Sequence, residues 1–291
     1  MTAITASAVK ELRDKTGVSM MACKKALEET SGDVQAAVEL LRKRGEAVAQ
    51  KRSSHAATEG RIVAGRQGDF VALVEVSAET DFTARNEDFG HFCTGVLNTV
   101  LNAHPSDMDT LQSATSKYLH NATVAQASAD IVGKIGENIS VRRFALKQVD
   151  AGTTVESYIH GPGKIGVLVT LAHAGVASND QIVALAKDLC LQIAAAAPVA
   201  VESSGISEDV LAKEREIYKE QAANEGLPEA KISMVIEGRV KKFLKEAALV
   251  EQLFVKDNKT TVAKVVEQVG KEVGATIKVV SFSRWQLGEA L

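Results

Sequence analysis

The 291-residue chain has little in it that marks chemistry of its own. No stretch approaches the ~20 consecutive apolar residues of a membrane-spanning helix. The opening MTAITASAVKELRD carries acids and no long apolar run, so neither a secretory signal nor a transit peptide is expected. Three cysteines, Cys23, Cys93 and Cys190, are too few and too dispersed for a disulfide framework or a thiolate metal site. They read as buried, reduced thiols of a cytoplasmic protein. A formal net charge of −3 lacks the basic excess of a nucleic-acid coat, so direct nucleic-acid binding is not expected, nor is membrane binding. The six histidines form no HExxH motif, and neither an EF-hand pattern nor a nucleophile elbow is present. Gly161-Pro162-Gly163-Lys164 resembles a phosphate loop only superficially, because the Walker spacing is missing and the residues sit in a hairpin turn. No enzyme activity, cofactor or metal site is expected.

What is present is a chain long enough for two or three units of about 100–200 residues, with 45% hydrophobic residues but only 4% aromatics. Residues 5–53 read as three short helices. Thr5 or Ser7 caps the first and Gly17 ends it. Ser19 caps MMACKKALEET, with Gly32 as its stop, and Asp33 caps VQAAVELLRKRG. The polar segment 50–60, QKRSSHAATEG, reads as a linker, with the basic residues before it as a solvated helix end. A hairpin follows about Gln67-Gly68-Asp69, then a helix with Phe89, Phe92, Cys93, Val96, Leu97, Val100 and Leu101 at helical spacing. A second helix over 122–136 and the strand ISVRRFALKQV complete the unit.

The order then returns. TVESYIHG and IGVLVTLAHAG make another hairpin, Ser178-Asn179-Asp180 cap a helix running to Ala197, and the closing strand TIKVVSFSRW comes only after Ala275. GDFVALVEV corresponds to GKIGVLVTL, which suggests an internal duplication of an α+β unit. Between the helix and that strand lies a helical insert. Ser207 caps EDVLAKEREIYKEQAANEG and Pro228 opens a helix with the stripe Ile232, Val235, Ile236, Val240, Phe243 and Leu244. Such a stripe has to be buried, either on its own body or on a second copy of the chain.

One stretch stands apart: VEVSAETDFTARNEDF, residues 74–89. Its first part alternates like a strand end, and Glu79-Thr80-Asp81-Phe82-Thr83 breaks the alternation. From Asn86 a helix can start, with Glu87 and Asp88 in its first turn. Asp81 and Phe82 are therefore expected on a short loop between strand and helix. A loop aromatic there is either a plug over its own core or an anchor for a partner. Residue chemistry alone favours the plug, because exposed large apolar groups are uncommon. Glu79, Asp81, Glu87 and Asp88 together suggest a cation site only by count; helix capping explains Glu87 and Asp88 better.

LRDKTGVSMMACKKALEETSGDVQAAVELLRKRG resembles the amino-terminal module of elongation factor Ts, and ETDFTARNEDF resembles that family's signature loop. HGPGKIGVLVTL and VEQLFVKDNKTTV match later blocks of the same family, in register over nearly the whole chain. The resemblance implies an α+β fold with a ubiquitin-associated-like three-helix module at 1–53. It implies a duplicated core with antiparallel sheets at 54–150 and at 151–206 with 255–291, and an inserted helical hairpin at 207–254 that dimerises. It implies a nucleotide exchange factor for the GTPase elongation factor Tu, in which Thr80, Asp81, Phe82 and Thr83 enter the partner and lead to loss of its Mg²⁺. Phe82 then becomes an anchor and not a plug. His160, which in isolation reads as a structural strand-end residue, is carried over as a further partner contact. Three departures are visible: Thr83 where Val is common, Leu253 where the family block has proline, and a chain ending at Leu291 where many members continue as a short helix. The competing expectation is a translation-associated binding or scaffold protein that holds the GTPase without emptying it.

Overall fold

Three capped helices open the chain. In the computed structural model, which describes residues 4–225 and 228–291, Thr5 Oγ1 accepts from the Ala8 N–H at the head of α1 (Ala6–Thr16). Ser19 and Asp33 do the same for α2 (Met20–Glu29) and α3 (Val34–Arg52). Gly17 closes α1 in the left-handed region. Leu12, Cys23, Ala26, Leu27 and Ala37 are fully buried among the three helices.

The hairpin of β1 (Glu59–Gln67) and β2 (Phe70–Ala78) turns at Gly68-Asp69, with Gln67 paired to Phe70 and Gly68 at the positive φ a two-residue turn requires. There follow α4 (Asp81–Arg85), α5 (Glu87–Ala103), α6 (Met108–Ser113) and a short ladder of β3 (Thr115–Ser116) with β4 (Ala122–Thr123). α7 (Val124–Ile135) and β5 (Ser140–Gln148) complete the run. The sheet order is β1-β2-β5, and the central strand β2 is buried almost throughout. The Ser77 and Ser140 hydroxyls lie 2.9 Å apart and Glu75 lies 2.6 Å from Arg142, an opposed drift that makes β5 antiparallel to β2. The stripe of α5 is buried against Leu111, Val124, Ile131 and Val132. Glu75 breaks the apolar run of β2 at 0% exposure. Arg142 Nη1 and Arg143 Nε each donate to it at 2.6 Å and the Gly288 N–H at 3.1 Å, so the buried charge is matched on both oxygens.

The second set comprises β6 (Thr153–His160), β7 (Ile165–Ala174), α8 (Asp180–Ala196), α9 (Glu208–Asn224), α10 (Glu229–Ala247), α11 (Val262–Val273) and β8 (Thr276–Gln286). Its sheet order is β6-β7-β8. In both sets a hairpin comes first and the last strand pairs with the hairpin's second strand. Asn179 caps α8, which stops at a left-handed Ala197 ahead of Pro198. Fully buried Gln192 on α8 donates to Gln252 Oε1 at 2.9 Å and accepts the Val255 N–H at 2.8 Å, tying residues 252–255 to that helix. The helical insert forms as expected from Ser207 and Pro228; residue 226, the expected end of its first helix, and residue 227 lie outside the described residues. The C-terminal part of the α10 stripe packs on its own body: Val240 is buried, and Ile236, Phe243 and Leu244 are half-buried, with Ile206, Val210, Leu211 and Tyr218.

The chain divides into two compact units, residues 1–147 with 159–166 and 285–291, and residues 148–158 with 167–284. One detail differs from the sequence reading. The helix expected to end at Gly45 continues to Arg52, so the first part of the expected linker is helical. The N-terminal helices and the first sheet fall in one compact unit. Within it α3 and α7 cross closely. A Cβ on Gly133 of α7 would lie 2.7 Å from Gly45 Cα, and one on Gly45 would lie 3.1 Å from the Ala129 carbonyl oxygen. Gly45 allows contact and is not a stop, and past it Val48 and Ala49 pack on the core of the first sheet. Among the described residues no helix is long and apolar enough to cross a membrane.

Candidate functional site: the Phe82 turn

β2 leaves its sheet at Ala78, and after two intervening residues the chain turns helical. The expected loop is the single helical turn α4, because Thr80 caps it: the Thr83 N–H donates to Thr80 Oγ1 at 3.3 Å. The turn ends where Asn86 interrupts it, and Asn86 Oδ1 then accepts from the Asp88 and Phe89 N–H groups to start α5. Two caps six residues apart thus enclose Asp81–Arg85. Helical phase separates its faces. Thr83 and Ala84 point inward and are buried, whereas Phe82 is 83% exposed. Phe82 is therefore no plug over its own core. Asp81 is half exposed beside it and pairs with Arg85 at 3.1 Å.

The ends of the turn are held from elsewhere in the unit. Thr80 donates to Glu137 twice, from its N–H to Oε2 at 3.1 Å and from its hydroxyl to Oε1 at 2.8 Å. The Asn138 N–H donates to Glu79 Oε1 at 2.7 Å, and Arg52 Nη1 reaches Glu79 at 3.3 Å. The Asn138 bond, with the charges of Arg52 and His55 behind it, holds the Glu79 carboxyl below its ordinary value of 4.5. The acids that looked like a cluster have separate partners: Glu79 these groups, Asp81 Arg85, and Asp88 Lys134 at 2.7 Å.

His160 sits on a different element. It is exposed at the end of β6, before the turn 161–164, where the Ile62 N–H donates to the Gly163 carbonyl at 2.8 Å and Lys164 pairs with Glu59. Thr80, Asp81, Phe82 and Thr83 form one turn; Glu137, Asn138 and Arg52 were not anticipated. The only local hint at Glu137 is its place directly after the left-handed Gly136 that ends α7.

An exposed aromatic beside a charge, on a backbone fastened at both ends, is an arrangement that suits a protein-binding surface. A model of the family described as Elongation factor TS matches residues 79–289, beginning at the Phe82 turn. Elongation factor Ts of Clostridium acetobutylicum is 42% identical over 291 residues, covering 99% of this chain and 94% of its own length. The Clostridium perfringens protein of the same name is 43% identical with the same coverage. That of Syntrophotalea carbinolica is 43% identical over 288 residues, again covering 99% of this chain and 94% of its own. The chain belongs to the elongation factor Ts family, and its role is in translation elongation.

Proposed function

We propose that the chain is a guanine nucleotide exchange factor for elongation factor Tu, working in the cytoplasm with no catalytic group or cofactor of its own. A translational GTPase holds its nucleotide through phosphate-loop amides, a lysine and a Mg²⁺ ion that bridges phosphate oxygens. An exchange factor need not touch the nucleotide. It has to bind the empty conformation better than the loaded one, and nucleotide affinity then falls by the same factor by which nucleotide weakens the factor's own binding. Phe82 inserts between partner helices, and Asp81 disturbs the polar groups that hold the waters of the Mg²⁺. Thr80 and Thr83 frame that insertion. With the ion lost, phosphate charge is less compensated and the nucleotide leaves faster.

The observation that carries this reading is the 83% exposure of Phe82 on a doubly capped turn, a costly arrangement for a side chain with nothing to meet. The ubiquitin-associated-like helices of 1–53 and the second core half, with His160, grip other faces of the GTPase while its pocket is open. The repeated hairpin–helix–strand order supports a duplicated core. Self-association, where it occurs, runs through the 207–254 hairpin, on which Met234 is exposed. Release of labelled GDP from purified elongation factor Tu, with and without the chain, tests the proposal. Faster release is expected. Binding without acceleration would favour a scaffold that holds the GTPase loaded.

A further inference from the structure

Glu79 and Glu137 make a reciprocal arrangement. Each carboxylate accepts the peptide N–H that follows the other glutamate: Asn138 N–H to Glu79 at 2.7 Å, and Thr80 N–H to Glu137 at 3.1 Å. It resembles a capping box built between two segments 57 residues apart. The Thr80 hydroxyl gives its proton to the second Glu137 oxygen, which leaves its lone pairs for the Thr83 N–H inside the turn. Glu79 is engaged on its other side by Arg52 at 3.3 Å and by His55 Nδ1 at 3.4 Å, while Asn138 Nδ2 donates to the His55 carbonyl at 2.7 Å. The end of α3, the exit of β2 and the exit of α7 meet at this clasp.

A helix of five residues does not hold its own shape in water, since nucleation is unfavourable and one turn returns almost nothing. Burial of Thr83 and Ala84 fixes its inner face, and the direction in which Phe82 leaves the strand is set by what grips Thr80. We infer that Glu137, with Glu79 as its counterpart, is a positioning residue for exchange: the clasp preorganises the Thr80–Thr83 turn so that Phe82 meets the GTPase without an ordering cost. Arg52 ties the same clasp to the end of the N-terminal helices. This rests on the exchange reading above. The partner rewards a fixed aromatic because the entropy of ordering a loop at an interface is otherwise subtracted from binding.

The test uses the full chain with Glu137→Ala and Glu137→Gln, in two arms. The first needs no partner: amide hydrogen exchange over residues 80–86. Glu137→Ala should speed it by about tenfold or more, while β2 amides stay protected. The second arm is GDP release from purified elongation factor Tu as a function of chain concentration. The half-maximal concentration should rise about tenfold or more in Glu137→Ala, which loses both charge-assisted bonds to Thr80, at 1.4 kcal/mol per decade. Glu137→Gln, which keeps one acceptor oxygen, should recover part of it. A simple loss of folded protein would move the half-maximal concentration only by the folded fraction, read from a thermal melt of the same preparation. Unchanged exchange at 80–86 would overturn the clasp. Faster exchange with an unmoved half-maximal concentration would overturn the positioning role. Where Glu137→Ala does not fold, Glu137→Gln and Arg52→Gln carry the same two measurements. If the unaltered chain fails to accelerate release, the exchange reading has failed and the positioning role falls with it; the first arm still decides whether the clasp exists.

Discussion

Replacing Phe82 with alanine removes a side chain that the folded chain scarcely touches. At 83% exposure its truncation should leave the melting temperature almost unmoved, as surface substitutions stay within about 0.5 kcal/mol. The effect on the partner should be large. A phenylalanine buries about 150–250 Å² when it is fully enclosed. At about 25 cal/mol per Å² that is worth some 4–6 kcal/mol before ordering costs are subtracted. Buried aromatic hot spots measure 2–4 kcal/mol on truncation, which is a roughly 30- to 1000-fold loss of exchange efficiency. Asp81→Ala should lose less, because Asp81 is half exposed, already shares its charge with Arg85 at 3.1 Å, and is screened by solvent. The assay is release of fluorescent GDP from elongation factor Tu against chain concentration, paired with a thermal melt of each preparation. A Phe82→Ala chain that melts far lower yet stimulates release fully would refute the anchor and restore the plug.

Three further outcomes are expected. Gly133→Ala should destabilise the first unit by about 1–3 kcal/mol, since the new Cβ meets backbone at 2.7 Å, whereas Gly238→Ala on α10, with open space around it, should stabilise by about 0.5–1 kcal/mol; opposite shifts in melting temperature check both. Glu79 has a folded pKa held below its ordinary 4.5, so its contribution to stability is present above that value and lost as the pH falls through the lower folded one. Melting curves of the chain and of Glu79→Gln should therefore converge on acidification, and a constant gap would sink the assignment. Val240→Lys should open the α9–α10 hairpin, because Val240 is buried within it, while Met234→Lys should leave helicity intact and abolish any self-association seen by light scattering. If Met234→Lys self-associates unchanged, the interface lies elsewhere.

Much of the fold is legible because its decisive bonds are local. Thr5, Ser19, Asp33, Asn86, Asn179 and Ser207 each satisfy N–H groups two or three residues ahead, so residue type and spacing are enough to place the helix starts. The α5 stripe is legible for the same reason: 3.6-residue periodicity needs no knowledge of what covers it. Gly45 misleads because glycine has two uses that look alike in sequence. One is to end a helix in the left-handed region, as Gly17 and Gly136 do. The other is to let two helices touch, which only Gly133, 88 positions later, reveals. The reading of 50–60 as a linker misses its first residues for the same reason, since α3 docks on α7 and stays helical to Arg52, while 53–58 lie outside helix and strand.

The site divides along the same line. That Phe82 sits at a break between strand and helix follows from the alternation of 74–78 and the cap at Asn86. Whether it points in or out does not, because that depends on the burial of Thr83 and Ala84 against the sheet and on Thr80, which is held by a carboxylate far along the chain. A peptide of residues 74–89 would contain both caps of the turn and the aromatic itself, but neither Glu137 nor Asn138. Its five-residue helix would have nothing to oppose the cost of nucleation. On the proposed reading the recognisable motif is the part that meets a partner, and the part that aims it lies at the end of α7. Sequence reading locates groups that act on near neighbours and on other molecules. It passes over groups such as Glu137, whose work is to hold one distant residue still.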